Sequence, residues 1–316
     1  MQNGSHDRSA VGASSVYVAA SVPARLVGSG TAVALPVLAV QQIDDLAVGG
    51  LLVACGLAPS VLIAPFVGVM LDRAKRPGLL IAAASALTAF ALFGAAFLGL
   101  LPAPVVVVLL VLAGCLTPFS MGGLSSIVAD IVGDERRAFG LDALVYNIAG
   151  VAGPGLVALL ITVAPAQSAM FVLAGLAAVA AAAALLISVR RSNPGVAAQS
   201  VLGSIAVGAR HLISHRPLAV VTAAGTLSQL GAGALPIAAL SLALTRTGDS
   251  EAGAWLVTAF STGALAGAFA AAAFARTRVA PDTVMRWGFF ATGVLTMAVL
   301  PDWGMPAALI AVALSG

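Results

Sequence analysis

Between Leu46 and Leu101 the chain reads LAVGGLLVACGLAPSVLIAPFVGVMLDRAKRPGLLIAAASALTAFALFGAAFLGLL: two long apolar runs, 47–71 and 78–101, joined by Asp72-Arg73-Ala74-Lys75-Arg76-Pro77. Each run can cross a hydrocarbon core about 30 Å thick at about 1.5 Å per helical residue. Lipid offers no partner to a free backbone amide, so such spans must be helices or strands of a closed barrel. A barrel needs alternating polar and apolar residues. Runs such as AAVAAAAALLI (177–187) exclude one.

The pattern extends over the whole chain. Of 316 residues, 60% are hydrophobic and only 9% charged, against about 25% charged in a soluble domain. Such a chain cannot cover itself with a polar surface, so its solvent is lipid. Apolar spans are predicted at 24–43, 47–71, 78–101, 104–131, 139–163, 167–189, 217–242, 252–275 and 283–300, with a tenth starting near Gly304. The breaks hold Pro, Gly and charge. Pro36, Pro59, Pro65, Pro118, Pro154 and Pro236 fall inside spans and predict kinked helices.

The basic residues give the orientation. Arg73, Lys75 and Arg76 lie in the second loop, Arg136 and Arg137 in the fourth, Arg190, Arg191, Arg210 and Arg216 in the sixth, and Arg276, Arg278 and Arg286 are assigned to the eighth. If every span crosses, these loops share one side, which the positive-inside rule makes cytoplasmic together with the N-terminus. The net charge of +3 is therefore read as topology, not nucleic-acid binding: no basic stripe carries interleaved aromatics. Residues 1–23 are predicted to be a mostly disordered cytoplasmic tail. Residues 24–189 form six spans, and 190–216 a cytoplasmic central loop. Within that loop, apolar Val201, Ile205, Leu212 and Ile213 among Arg210, His211, His215 and Arg216 predict a short interfacial amphipathic helix. Residues 217–316 hold the remaining spans. Cys55 and Cys115 lie in apolar runs and read as small apolar residues, with no His or acid beside them to hold a metal.

The loop Gly68-Val69-Met70-Leu71-Asp72-Arg73-Ala74-Lys75-Arg76-Pro77 resembles the signature between helices 2 and 3 of the major facilitator superfamily. Lys75 replaces the usual second Gly and Pro77 a usual basic residue. Ser125 to Asp130, followed by Gly133-Asp134-Glu135-Arg136-Arg137, looks like that family's helix 4–5 junction. Tyr146-Asn147-Ile148-Ala149-Gly150-Val151-Ala152-Gly153-Pro154-Gly155 is similar to the Gly-Pro motif of its exporters, although Val157 and Ala158 stand where that motif closes on Gly-Gly. The helix-4 Arg of many drug exporters is absent from 105–116. A second-half echo of the first motif, Ala275-Arg276-Thr277-Arg278-Val279, lacks the Asp.

The resemblance implies an all-α integral membrane protein of two pseudo-symmetric six-helix halves, with about nine to ten of twelve helices present and the C-terminal half incomplete. It implies secondary active transport of a small organic molecule by alternating access in the cell membrane. Efflux is favoured by the Gly-Pro motif, as by an antiporter, with protons as the candidate coupling ion; a metabolite importer and a truncated non-transporting protein are the alternatives. It also implies a monomer without cofactor. Gly68, Asp72, Arg73, Lys75, Arg76 and Asp130 would form a conformational switch, and Gly150, Gly153 and Pro154 a tight, bent helix contact. Candidate cavity residues are Thr31, Tyr146, Asn147 and Gln229. Each also has a packing role open to it: Thr31 could bond a carbonyl of its own helix, and Asn147 and Gln229 could bridge helices. No ionisable group is placed at the midplane. Asp130 and Asp142 are set near cytoplasmic span ends and Arg25 at the start of the first span. An enzyme is not expected, because Asp44-Asp45 and the three His residues form no metal or pyrophosphate site.

Overall fold

The computed structural model of the chain describes residues 3–189, 201–274, 281–299, 301 and 304–315, and is helical throughout, with no strand among them. Seven helices precede the central loop: α1 (Asn3–Ile43), α2 (Leu46–Arg73), α3 (Pro77–Ala95), α4 (Ala103–Ser120), α5 (Gly122–Val132), α6 (Glu135–Val163) and α7 (Ala166–Ala184). Then come α8 (Val201–Ser214), α9 (Arg216–Thr247), α10 (Ser250–Phe274), α11 (Pro281–Met297) and α12 (Met305–Ser315). Six described spans are long and apolar enough to cross a membrane, α4 and α5 counting as one. Arg276 and Arg278, the basic residues of the second-half echo, lie outside the described residues.

Local chemistry sets the helix ends. The Asp45 side chain accepts from the amides of Ala47 and Val48, at 2.8 and 3.1 Å, and caps α2. Asp134 caps α6 through the Arg137 amide. Pro77 opens α3, where its missing N–H costs nothing. Gly133 and Gly248 end α5 and α9 in the left-handed region, at φ of 80° and 69°. The acid pair Asp44-Asp45 is thus accounted for as a turn and a cap.

Two features differ from the sequence reading. The expected disordered tail before residue 24 is helical, and Tyr17 and Ala20 are fully buried. The mixed Ser-rich composition disguises a helix that buries Tyr17 and Ser21. The fourth span is broken at Met121, three residues beyond Pro118. Proline removes an intrahelical bond there, and Met121 leaves the helical region at φ −89°, ψ −83°.

The buried side chains fall into two clusters. One, at the end that carries Arg73, Lys75 and Arg76, draws only on the first half: Tyr17, Val67, Leu71, Ile81, Ile127 and Ala184 are among its members. The other, at the opposite end, joins both halves, with Leu38, Val157 and Ile161 packed in one core with Leu240, Val257 and Val312. Lipid gives little hydrophobic drive to helix pairing, so close approach of small residues supplies it. α4 meets α2 where a Cβ on Gly114 would stand 2.5 Å from the Gly56 carbonyl oxygen. Gly263 of α10 lies directly against the Ala313 backbone of α12, which accounts for its small side chain by packing.

Gly114→Val should therefore lower stability by about 1–3 kcal/mol, because the clash is with backbone that cannot rotate away. Gly175→Ala, where an added Cβ meets nothing within 4 Å, should leave stability unchanged or slightly raised. Thermal unfolding of both variants in one detergent checks the difference.

Candidate functional site

The helices before and after the central loop share a buried core at one end. Ile237 of α9 packs beside Gly50 of α2, and Thr258 of α10 beside Gly155 of α6, at 3.2 and 3.4 Å from where a Cβ would lie. The buried side chains of α9 and α10 (Ala239, Leu240, Ala243, Ala254, Leu256, Val257) all lie at that end. Towards the end that carries Arg73, Lys75 and Arg76, residues such as Val221 and Leu227 of α9 and Phe269 of α10 are exposed. Among the described residues, the buried side chains of α9 and α10 therefore lie at the end away from the basic loops.

The first half holds a buried ion pair. Arg25, 2% exposed, pairs with Asp142, 17% exposed. One Arg25 nitrogen, Nη2, bonds Asp142 Oδ1, the Tyr17 hydroxyl (3.2 Å) and the Ser125 hydroxyl (3.0 Å). The other, Nη1, donates to the Asp142 backbone carbonyl at 2.7 Å. The Tyr17 hydroxyl donates to the same Oδ1, as does Ser125 at 3.1 Å. Tyr146, one turn along α6 from Asp142, lays its ring 4.6 Å from the guanidinium carbon. The cluster ties α1, α5 and α6 together.

This corrects the expectation that Arg25 starts the first span. Arg25 does not start its helix: the apolar span begins at Ser14, eleven residues earlier. A signal was present in the sequence. Tyr17, Ser21, Arg25 and Ser29 recur every fourth residue, which places them on one helical face. That stripe faces protein: Ser29 donates to the Ala149 carbonyl of α6 at 2.8 Å.

The expected site residues divide into three groups. Gly153 is a close-contact residue, with Ser29 and Gly30 of α1 directly against it, and Pro154 beside it is buried. Nothing stands within 4 Å of a Cβ at Gly150. Of the loop motif, Gly68 likewise faces open space, so no helix approaches it in this conformation. Asp72, Lys75 and Arg76 are exposed, and Arg73 is half-buried. Asp130 is also exposed, and lines a recess with Val16, Ile131 and Leu186 to Val189. α5 packs on the end of α2 through Leu71 and Gly123.

Of the cavity candidates, Thr31 lines a pocket of about 60 Å³ enclosed by α1 to α4, with Val27, Gly28, Leu92, Leu110 and Thr117. Its hydroxyl is buried and has no partner among the described residues, whereas Thr88 and Thr117 bond carbonyls of their own helices. Tyr146 is half-exposed above Arg25. Asn147 donates to the Ala143 carbonyl of its own helix at 2.8 Å and does not bridge helices. Gln229 is exposed on the inner part of α9.

A family profile described as Major Facilitator Superfamily matches residues 17–316. The chain belongs to the major facilitator superfamily. The fold agrees. A crystal structure of a point mutant of the nucleoside transporter NupG superposes with a TM-score of 0.74 at 13% identity, covering 96% of this chain and 79% of that one. A second NupG crystal structure gives 0.66 at 13% identity, covering 96% and 78%. Among curated proteins none matches. In this superfamily member α4 and α5 count as one broken helix.

Removing one partner of a buried pair leaves an uncompensated charge. Asp142→Ala should cost about 3–5 kcal/mol. The double variant Arg25→Met, Asp142→Leu should recover most of that loss, since a well-packed apolar pair of similar volume is tolerated. Thermal unfolding of the single and double variants in detergent measures the recovery.

Proposed function

We propose that this protein moves a small organic molecule across the cell membrane by alternating access, as a secondary transporter whose N-terminus and basic loops face the cytoplasm, and that it works as an exporter. The observation that carries the reading is the uneven burial of α9 and α10: packed against the first half at the outer end, exposed towards the basic-loop end. On this orientation the structure is an inward-facing state. Rocking would close the inner ends and break the outer contacts at Gly50–Ile237 and Gly155–Thr258.

The Gly153-Pro154 step supports the role of α6 in that movement. Pro154 has no N–H to return to the Gly150 carbonyl, and Gly153 lets α1 and α6 touch, so α6 can bend while α1 stays seated. Export rests on the likeness of this segment to the exporters' Gly-Pro motif. The loop motif, with Asp72, Arg73 and Asp130, is proposed as a latch whose contacts change when the inner ends close. Its contacts would then differ between the two states, as any device that biases the equilibrium requires.

A disulfide across the outer contact tests this. With Cys55 and Cys115 first replaced by Ser, Gly155→Cys with Thr258→Cys should cross-link on oxidation and abolish transport reversibly. A cysteine at Gln229 should stay open to a membrane-impermeant thiol reagent only from the cytoplasmic side. Transport that survives full cross-linking would sink the proposal.

A further inference from the structure

Gly150 has no packing reason to be a glycine. A glycine inside a helix is less stable than an alanine. Gly153 accounts for itself, because Ser29 and Gly30 of α1 lie directly against it, but a Cβ at Gly150 would meet nothing within 4 Å. Ala143, Tyr146 and Asn147, its neighbours on α6, are all exposed. At about 100° per residue, these four positions share one side of the helix. The buried Ala138, Val145 and Ala149 form another side, turned to the rest of the first half. Gly153 meets α1, and Gly155 stands beside Thr258 of α10. The exposed side lies between those two contacts, so it looks towards a space bordered by helices from before and after the central loop.

Two side chains give this side a chemical character. Tyr146 rests one face of its ring on Arg25, whose guanidinium carbon lies 4.6 Å from the ring centroid. The residue is 53% exposed, which leaves the other face bare. The cation beneath holds the ring in place, so the bare face is presented without the ordering cost of a free side chain. Asn147 spends its Nδ2 on the Ala143 carbonyl at 2.8 Å, which fixes the amide along the helix. Its Oδ1 accepts from no group among the described residues. A held aromatic face, a spare acceptor and a glycine floor one turn away together suit a flat ring with a hydrogen-bond donor on its edge.

We infer that the molecule this protein carries contains a planar aromatic ring, which stacks on the bare face of Tyr146 in the room left by Gly150 and turns an N–H or O–H on its edge to Asn147 Oδ1. A saturated molecule of the same size gains apolar contact there but no stack. A ring without a donor leaves Oδ1 unused. The inference rests on the transporter reading, because it takes the side of α6 between α1 and α10 to border the substrate route, but it is tested apart from that reading.

The reporter is Ala143→Cys in the purified full chain with Cys55 and Cys115 replaced by Ser, which sets one thiol a turn from the ring. Its rate of alkylation by N-ethylmaleimide reads occupancy at this place alone. The probes are 2-naphthalenemethanol, its decahydro analogue and its methyl ether. The alcohol should slow alkylation saturably, with half-protection at a concentration about two- to tenfold below that of the decahydro analogue. The decahydro analogue is the more apolar compound, so simple partition would give the reverse order. The methyl ether should also protect less well than the alcohol, and Asn147→Leu should remove that difference. Tyr146→Phe should keep the preference for the flat ring, and Tyr146→Leu should abolish it. No saturable protection, equal or better protection by the decahydro analogue, or a ring preference that survives Tyr146→Leu would each overturn the inference. Should the reporter variant not fold, Phe139→Cys, exposed one turn nearer the start of α6, takes its place. A protein that passes the disulfide test but shows no ring preference keeps the transporter reading and loses this one.

Discussion

A backbone amide in lipid has nothing to bond except its own chain, and most features of this protein descend from that constraint. It makes every span a helix. It places polar and glycine residues at the turns, where Asp45 and Asp134 cap helices and Gly133 and Gly248 close them. It also makes each interior proline consequential, because the carbonyl one turn earlier loses its partner. Pro118 lies just before the break at Met121, and Pro154 lies where α6 leaves the inner cluster for the outer one.

With no water to expel between helices, contact has to come from shape. The close approaches of α2 to α4, α1 to α6 and α10 to α12 all run through glycine. The first half is held together at both ends, by the inner cluster and by its share of the outer one. The second half is buried against it at the outer end. Two bodies joined in this way can rock about the packed end, and that asymmetry supports the proposed mechanism more directly than any single residue does.

Against this apolar background the Arg25–Asp142 pair stands out. Burying two charges is costly, and their attraction repays the cost only when the geometry is good and the remaining donors are satisfied. Here three partners meet one carboxylate oxygen, while Arg25 Nε and Ser21 Oγ go without. An apolar pair would hold α1 and α6 together as well.

Much of the fold was legible in the residues. The alternation of apolar runs with basic loops, and the likeness of Gly68 to Pro77 to the superfamily signature, identified membrane spans, helical class and family, because hydropathy and loop charge act locally and need no knowledge of neighbours. The helical character of the segment after the central break was legible for the same reason, and α8 forms there. The site was not. Arg25 and Asp142 are 117 residues apart, and read one helix at a time each looks like an ordinary polar residue near a span end. The tertiary structure decided that α1 starts far earlier than its composition suggests, that the stripe of Tyr17, Ser21, Arg25 and Ser29 faces protein, and that the buried side chains of α9 and α10 lie away from the basic loops. Those outcomes depend on which helix face meets which neighbour. That is a matter of shape between distant segments, on which local hydropathy is silent.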